Sequence, residues 1–454
     1  MGKALATLAL GGLLFAQQSP PLTVAQTVDL ALKNYPSIRV SQEQINAAAA
    51  AIRLARTAFL PRIDAIAQVN RATRNNVFGL LLTQNVIPSI SGPVLGTNNL
   101  GTAWGSAAGA LVTWEPFDFG LRQANVAISE AARAQFAASL KRTEFEVAVA
   151  AADASLTLLA ATETVRAAQA GVDRSQAVAR TTNALVQAEL RPGADASRAE
   201  AETAAARTQM IQARQAVAVA RATVSQFTGL EPNQIDIAAD RLTLLPPTAE
   251  FPPLDLAANP QALEQTAVIQ QAQAQLRALE RSYFPKFYLQ GLAYARGTGA
   301  ETDGKILGGV NGLAPNTQNY ALGFTATFPI FDFAAIHARE AAQSATVQAQ
   351  KARAQQIATD LKARWDAAIA MLDGARQIAA NTPVQIKAAQ AALQQSQARY
   401  NAGLGTIDEV SESQRLLTQA EIDDALARLG VWRGLLAVAN AAGDIRPFLN
   451  EASQ

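Results

Sequence analysis

The sequence predicts a mainly helical, tandem-duplicated chain in which each half joins two β-strands to one very long helix and a helical hairpin. Three observations carry that prediction. Phe117-Asp118-Phe119 recurs as Phe331-Asp332-Phe333, an offset of 214 residues, and Leu190/Leu404 and Gly229/Gly443 keep the same offset. Behind each Phe-Asp-Phe, apolar or small residues recur at alternating steps of four and three. Ahead of each, short segments alternate apolar and polar residues with a period of two.

The first element is not part of the fold. Lys3 precedes an apolar, small-residue run from Ala4 to Phe15, then Ala16-Gln17-Gln18. That run is shorter than the roughly 20 residues of a membrane-spanning helix and has the shape of a secretory signal peptide, residues 1–16, cleaved after Ala16. No later window holds about 18 apolar residues free of charge, so no transmembrane helix is expected.

The first copy occupies 17–235. Its opening helix runs past Pro36 ("NYPSIRV") towards Pro61 ("AFLPRID"). Pro260 ("ANPQALE") and Pro285 ("SYFPKFY") are their counterparts, at an offset of 224. The fall from 224 to 214 means that the second copy lost ten residues between its strands, as loops do. In the first strand Ile63, Ala65, Ala67 and Val69 interleave with Arg62, Asp64, Gln68 and Asn70, with Ile66 as the exception. In the last, Tyr320, Leu322, Phe324, Ala326 and Phe328 interleave with Ala321, Gly323, Thr325 and Thr327. This pattern suits a sheet with one apolar and one polar face, whether a soluble sandwich or membrane strands of about 9–11 residues. Arg71–Leu100 and Gly297–Asn319, rich in Gly, Asn, Thr and Pro, read as loops.

Each strand-to-helix junction is spelled alike: Pro116, Phe117, Asp118 and Phe119 in the first copy, Pro329, Phe331, Asp332 and Phe333 in the second. Proline ends the strand ladder, the Phe rings pack the junction, and Asp118 and Asp332 cap the helix start. These are structural residues. The helical seam then runs from Val147 through Leu158, Ala168 and Val172 to Val186, and at +214 from Leu361 through Leu372, Thr382 and Ile386 to Tyr400. A seven-residue repeat held for about five heptads specifies helices supercoiled against neighbours. The first long helix covers roughly 100 Å at 1.5 Å per residue. Pro383, inside the second, is expected to kink it or loosen one turn.

The long helices end in "LRPGAD" (Leu190, Arg191, Pro192, Gly193, Asp195) and "GLGTIDE" (Gly403, Leu404, Gly405, Thr406, Asp408, Glu409). Thr406 and Glu409 read as a capping box, with Asp195 the equivalent of Glu409. A linker or strap at 236–259 joins the copies, the second copy occupies 260–443, and 444–454 is a C-terminal tail.

Composition removes most chemistry. The 454 residues hold no Cys, one His, 17% charged residues and a formal charge of +1. The near-neutral balance argues against a nucleic-acid partner. Without Cys there are no disulfides, thiolate sites or lipidated N-terminal Cys, and His337 alone supports neither a metal cage nor a Ser/His/Asp triad. No enzyme activity, cofactor or metal is expected. Gly299–Lys305, "GAETDGK", imitates part of a phosphate-binding loop, but Ile306 stands where Ser or Thr belongs and no helix follows, so it reads as a loop. Trp114 and Phe328 stand near the strand ends, where interfacial aromatics and core aromatics look the same.

Four strands of membrane-spanning length cannot close a barrel, and open edges in lipid cost several kcal/mol per unpaired group. Membrane strands would therefore require at least a dimer of eight strands, or a trimer of twelve. The paired "FLPRID"/"YFPKFY" segments, the paired Phe-Asp-Phe junctions, the marked hairpin tips and the tandem duplication resemble the TolC-like outer-membrane efflux proteins, from about Leu22 to Gly443. The resemblance implies a homotrimer in the outer membrane: a twelve-stranded β-barrel continuous with a long periplasmic α-helical barrel. It implies the exit duct of a tripartite efflux or type I secretion system, passive, with a periplasmic adaptor protein and an inner-membrane pump as partners. On that resemblance the tips Leu190–Asp195 and Gly403–Glu409 narrow the periplasmic aperture and meet the adaptor. Asp195, Asp408 and Glu409 would then ring the entrance, with Arg191 offsetting their charge; as solvated helix caps they have a simpler reading. The rival is an exported periplasmic coiled-coil adaptor or binding protein with a soluble β-domain.

Overall fold

The computed structural model describes residues 20–73, 101–239, 241–247, 254–301, 305–328 and 330–453. The expected signal peptide, most of the first loop, and Pro329 lie outside them. In chain order the elements are α1 (Val24–Asn34), α2 (Pro36–Thr57), β1 (Arg62–Thr73), β2 (Thr102–Phe117), α3 (Leu121–Gln187), α4 (Gly193–Thr228), a 3₁₀ turn (Pro232–Gln234), α5 (Pro260–Arg281), β3 (Lys286–Thr298), β4 (Thr317–Thr327), α6 (Phe333–Asn401), α7 (Ile407–Ala442) and α8 (Arg446–Ser453). The order α2-β1-β2-α3-α4 is thus repeated as α5-β3-β4-α6-α7. Two compact units form, and each draws on both repeats: Met1–Gln44 with Phe136–Thr266 and Ala352–Gln454, and Ile45–Gln135 with Ala267–Lys351.

The first unit is helical. Every seam position named above is buried or half-buried, while most other positions of α6 around them are exposed. Its main core joins Val24, Val28 and Ala31 of α1, Leu156, Leu158 and Leu159 of α3, Val224 of α4, Leu372 of α6 and Trp432 of α7. Small residues set the approach: a Cβ on Gly434 would stand 2.9 Å from the Leu372 Cα, and one on Gly171 would stand 2.9 Å from the Thr418 Oγ1. Helix α3 contains an 18-residue window apolar enough to cross a membrane by length and composition, although no stretch of that length in it is free of charge. Since 56% of that window is buried among the protein's own helices, its apolarity is that of a core helix.

The duplication extends to the caps. Gly229 (φ 74) and Gly443 (φ 83) end α4 and α7 in the left-handed region, and their N–H groups donate to Ser225 and Ala439 carbonyls at 2.8 and 3.0 Å. Among the strap's described residues Ile237 and Leu242 are buried, and Trp432 Nε1 donates to the Leu244 carbonyl at 3.0 Å. The tail is helical where none was expected, with Phe448 of α8 edge-on to Trp432 at 6.3 Å. Pro383 does not interrupt α6, which is helical from Phe333 to Asn401. The Ala379 carbonyl, deprived of its helical donor by Pro383, lies 3.5 Å from Thr382 Oγ1, whose hydroxyl is 2.7 Å from Asp424 Oδ1.

The second unit is a four-stranded antiparallel sheet in the order β1-β2-β3-β4, with the adjoining helix ends. Arg62↔Thr113, Val112↔Gly291 and Gly291↔Leu322 fix the register. One face carries Ile63, Val69, Leu289, Tyr320, Leu322 and Phe324, all exposed, with Tyr320 at 88%. The other carries Asp64, Gln68, Asn70, Thr113 and Gln290, together with a small cluster of Ala107, Leu111, Leu292 and Tyr294 on which Ile66 packs. The sheet therefore turns its apolar face outward. At the described ends of Gly299–Lys305, Ala300 bridges Ile306, and Glu301 N–H donates to the Lys305 carbonyl. His337 is an exposed residue of α6.

Candidate functional site

The two hairpin tips close in the same way, 214 residues apart. Leu190 N–H donates to the Leu185 carbonyl and Leu404 N–H to that of Arg399, each at 2.9 Å; Glu189 and Gly403 N–H groups donate to the carbonyls three residues back, Val186 and Tyr400, at 3.0 and 3.1 Å. This is the Schellman arrangement, which needs one left-handed residue. Gly403 takes it at φ 79, and Glu189 takes it at φ 59 despite its side chain. Leu190 and Leu404 are exposed at the turns.

Contacts then tie the first tip to the second. The Arg191 guanidinium donates to the Tyr400 and Gly405 carbonyls and lies 4.2 Å over the Tyr400 ring. The Tyr400 hydroxyl donates to Asp195 Oδ2 at 3.1 Å. Burial pushes that hydroxyl's pKa up, and the Asp195 carboxylate adds to the effect against the Arg191 charge, so it stays a donor at neutral pH. Asp408 pairs with Arg198, and Glu409 lies 3.6 Å from Arg399, which also donates to the Leu404 carbonyl.

Two expectations are corrected here. Asp195 is not an N-cap: α4 starts after Pro192 with no side-chain cap, and Asp195 is its third residue, the place that Glu409 holds in α7. Thr406 does cap α7, accepting the Glu409 N–H at 3.3 Å, but the Glu409 carboxylate is drawn to Arg399. The nearby cations Arg198 and Arg399, and the tyrosine that receives Arg191, carry no motif. In sequence, Arg198 stands one helical turn after Asp195, and Arg399 stands ten residues before Glu409 across the hairpin turn.

The junctions differ from each other. In the first, Phe119 (φ 52) and Gly120 (φ 90) turn the chain so that Asp118 Oδ1 accepts the Gly120 N–H at 3.1 Å. Asp118 Oδ2 accepts the Arg122 N–H at 2.6 Å and its Nε–H at 3.0 Å. Arg122 goes on to the Ala58 carbonyl at 3.2 Å and the Phe59 ring at 4.8 Å. Burial alone would raise the Asp118 pKa, but the bonds from Arg122 and Gly120 outweigh it and hold the carboxyl below its ordinary value. Trp114 Nε1 donates to the Phe59 carbonyl at 3.1 Å. In the second junction Ile336 stands where Arg122 would be. Asp332 is exposed and its backbone carbonyl takes the Ile336 N–H at 2.8 Å. Phe333 stacks on Tyr283 at 5.8 Å and meets Phe328 edge-on at 5.7 Å.

Among the described residues no cluster of His, Cys, Asp or Glu is arranged to hold a metal. Among solved structures the fold is similar to the CmeC outer membrane channel of Campylobacter jejuni (TM-score 0.74, 15% identity, 95% of this chain and 89% of that chain). It is also similar to the outer membrane protein VceC of Vibrio cholerae (0.72, 14%, 93% and 96%). A third likeness is to the open state of the MtrE outer membrane channel of Neisseria gonorrhoeae (0.69, 19%, 93% and 89%). No curated protein sequence matches. The family model described as outer membrane efflux protein matches residues 27–230 and 252–444, taking in both repeats with their strands, junctions and hairpin tips. The chain belongs to the outer membrane efflux protein family.

Proposed function

We propose that this outer-membrane efflux protein acts as a homotrimer, three four-stranded sheets closing a twelve-stranded barrel and the long hairpins enclosing a periplasmic helical conduit. The observation that carries this is the sheet: its exposed face is apolar, its covered face holds the polar residues, and it ends on β1 and β4. A soluble β-domain, as a periplasmic adaptor would have, buries its apolar face; this arrangement suits lipid outside and a watery lumen inside. Unpaired edges cannot stand in lipid. In this reading repeats 17–235 and 260–443 each contribute one strand pair and one hairpin per protomer, with 236–259 as the strap between them.

The duct is passive, receiving cargo from an inner-membrane pump through an adaptor protein that meets the tips around Leu190–Asp195 and Gly403–Glu409. Closure there is held by Arg191 on Tyr400 and by the carboxylate pairs, so opening means parting the two tips. The test is fractionation followed by native mass: extraction from the outer membrane only with detergent, as a particle of three chains that conducts ions in planar bilayers. A soluble periplasmic product, or a detergent-extracted monomer, would overturn the proposal.

A further inference from the structure

The repeat shows what should lie against the open end of the sheet. Within the chain, the second strand of repeat one pairs with the first strand of repeat two: Val112 stands opposite Gly291 and Ala110 opposite Ala293. Below that pairing the first junction is filled with rings, Phe119 on Phe284 at 5.1 Å and Phe117 near Phe287 at 6.3 Å. The second junction ends the sheet. Phe331, the counterpart of Phe117, is 97% exposed. At the sheet's other end, the counterparts of Phe284 and Phe287 are Leu60 and Ile63, 65% and 68% exposed.

We infer that β4 of one copy pairs antiparallel with β1 of a second copy in the register that β2 and β3 already show, seating Phe331 against Ile63 of that copy as Phe117 sits near Phe287. The inference rests on the homotrimer reading and adds its contacts. β4 corresponds to β2 at the offset of 214, and β1 to β3 at 224. Shifting β1 by 224 gives 286–297, against Lys286–Thr298 for β3, so the offsets hold in the fold as well as in the sequence. Carried across, Val112↔Gly291 becomes Ala326 opposite Ala67, and Ala110↔Ala293 becomes Phe324 opposite Val69. Phe324 and Val69 are both exposed on the apolar face. A slip of one residue would set an outward residue against an inward one, so face and register agree.

The chain has no Cys, so introduced pairs report cleanly. Phe324→Cys with Val69→Cys, and separately Ala326→Cys with Ala67→Cys, should link copies to one another when oxidised or treated with a short thiol cross-linker. Phe324→Cys with Ala65→Cys, displaced by four residues or about 13 Å along the strand, should not link. Native mass is measured on every sample. A particle of several copies that links through the displaced pair, or through neither matched pair, overturns the register while leaving assembly intact. A monomer removes the assembly reading and this inference with it. Phe331→Ser should lower the temperature at which the assembled form dissociates by several degrees, whereas no shift overturns the seat assigned to its ring.

Discussion

Asp118 is the residue whose removal should cost most at the first junction, and the cost can be built from its contacts. The Asp118 and Arg122 side chains are 7% and 9% exposed, so the pair has little water to fall back on. Asp118→Ala leaves the guanidinium buried without its counter-charge, a loss of about 3–5 kcal/mol, and removes the acceptor for two N–H groups at the start of α3, about 1 kcal/mol. The two losses share one carboxylate and do not add fully, so we expect about 4 kcal/mol. At roughly 2–4 °C per kcal/mol for a domain of this size, the midpoint should fall by on the order of 10 °C. Asp118→Asn keeps an acceptor and should lose about half as much. Asp118→Ala with Arg122→Leu should recover most of the loss, because no charge is left stranded. Asp332→Ala, exposed and opposite Ile336, should cost under about 1 kcal/mol. Thermal unfolding in detergent, followed by tryptophan fluorescence and circular dichroism, reads all four. Equal shifts for Asp118→Ala and Asp332→Ala, or no recovery in the double variant, would refute the reasoning. The pH dependence has a definite sign. The folded carboxyl lies below its unfolded value near 3.9, so its contribution is present above about pH 4 and is lost as pH falls through the folded value.

The remaining predictions concern the tips and one cap. Glu189→Gly should raise the unfolding midpoint, relieving up to about 1 kcal/mol of left-handed strain, and Gly403→Ala at the matching position should lose a similar amount. Gly443→Ala should cost about 2–4 kcal/mol: φ is 83, and the new Cβ would stand 2.7 Å from Asn259 Nδ2 and Pro260 Cδ. Asp195→Ala with Asp408→Ala frees Tyr400 and Arg198 and should raise single-channel conductance or shift ion selectivity in bilayers. Unchanged conductance and selectivity would overturn the place given to the tips in gating.

The sequence by itself determined the architecture of each repeat, because duplication writes every element twice and lets the copies check one another. The offsets of 214 and 224 located strands, long helices, turns and capping glycines. Alternation put Ile63 and Phe324 on one face of the sheet, since a period of two depends only on the local backbone. Whether that face was covered was a tertiary fact, and only the fold showed it exposed. So was the division of labour between two identical Phe-Asp-Phe strings. Asp118 is a buried ion-paired cap and Asp332 an exposed carboxylate, because the partner four residues on is Arg122 in one and Ile336 in the other. The long-range pairs at the tips, Arg191 on Tyr400 and Arg198 with Asp408, have no spacing to read. They join residues some 210 positions apart, brought together when two hairpins pack side by side. Local periodicity is written along the chain, whereas the chemistry between distant segments exists only where packing closes the distance.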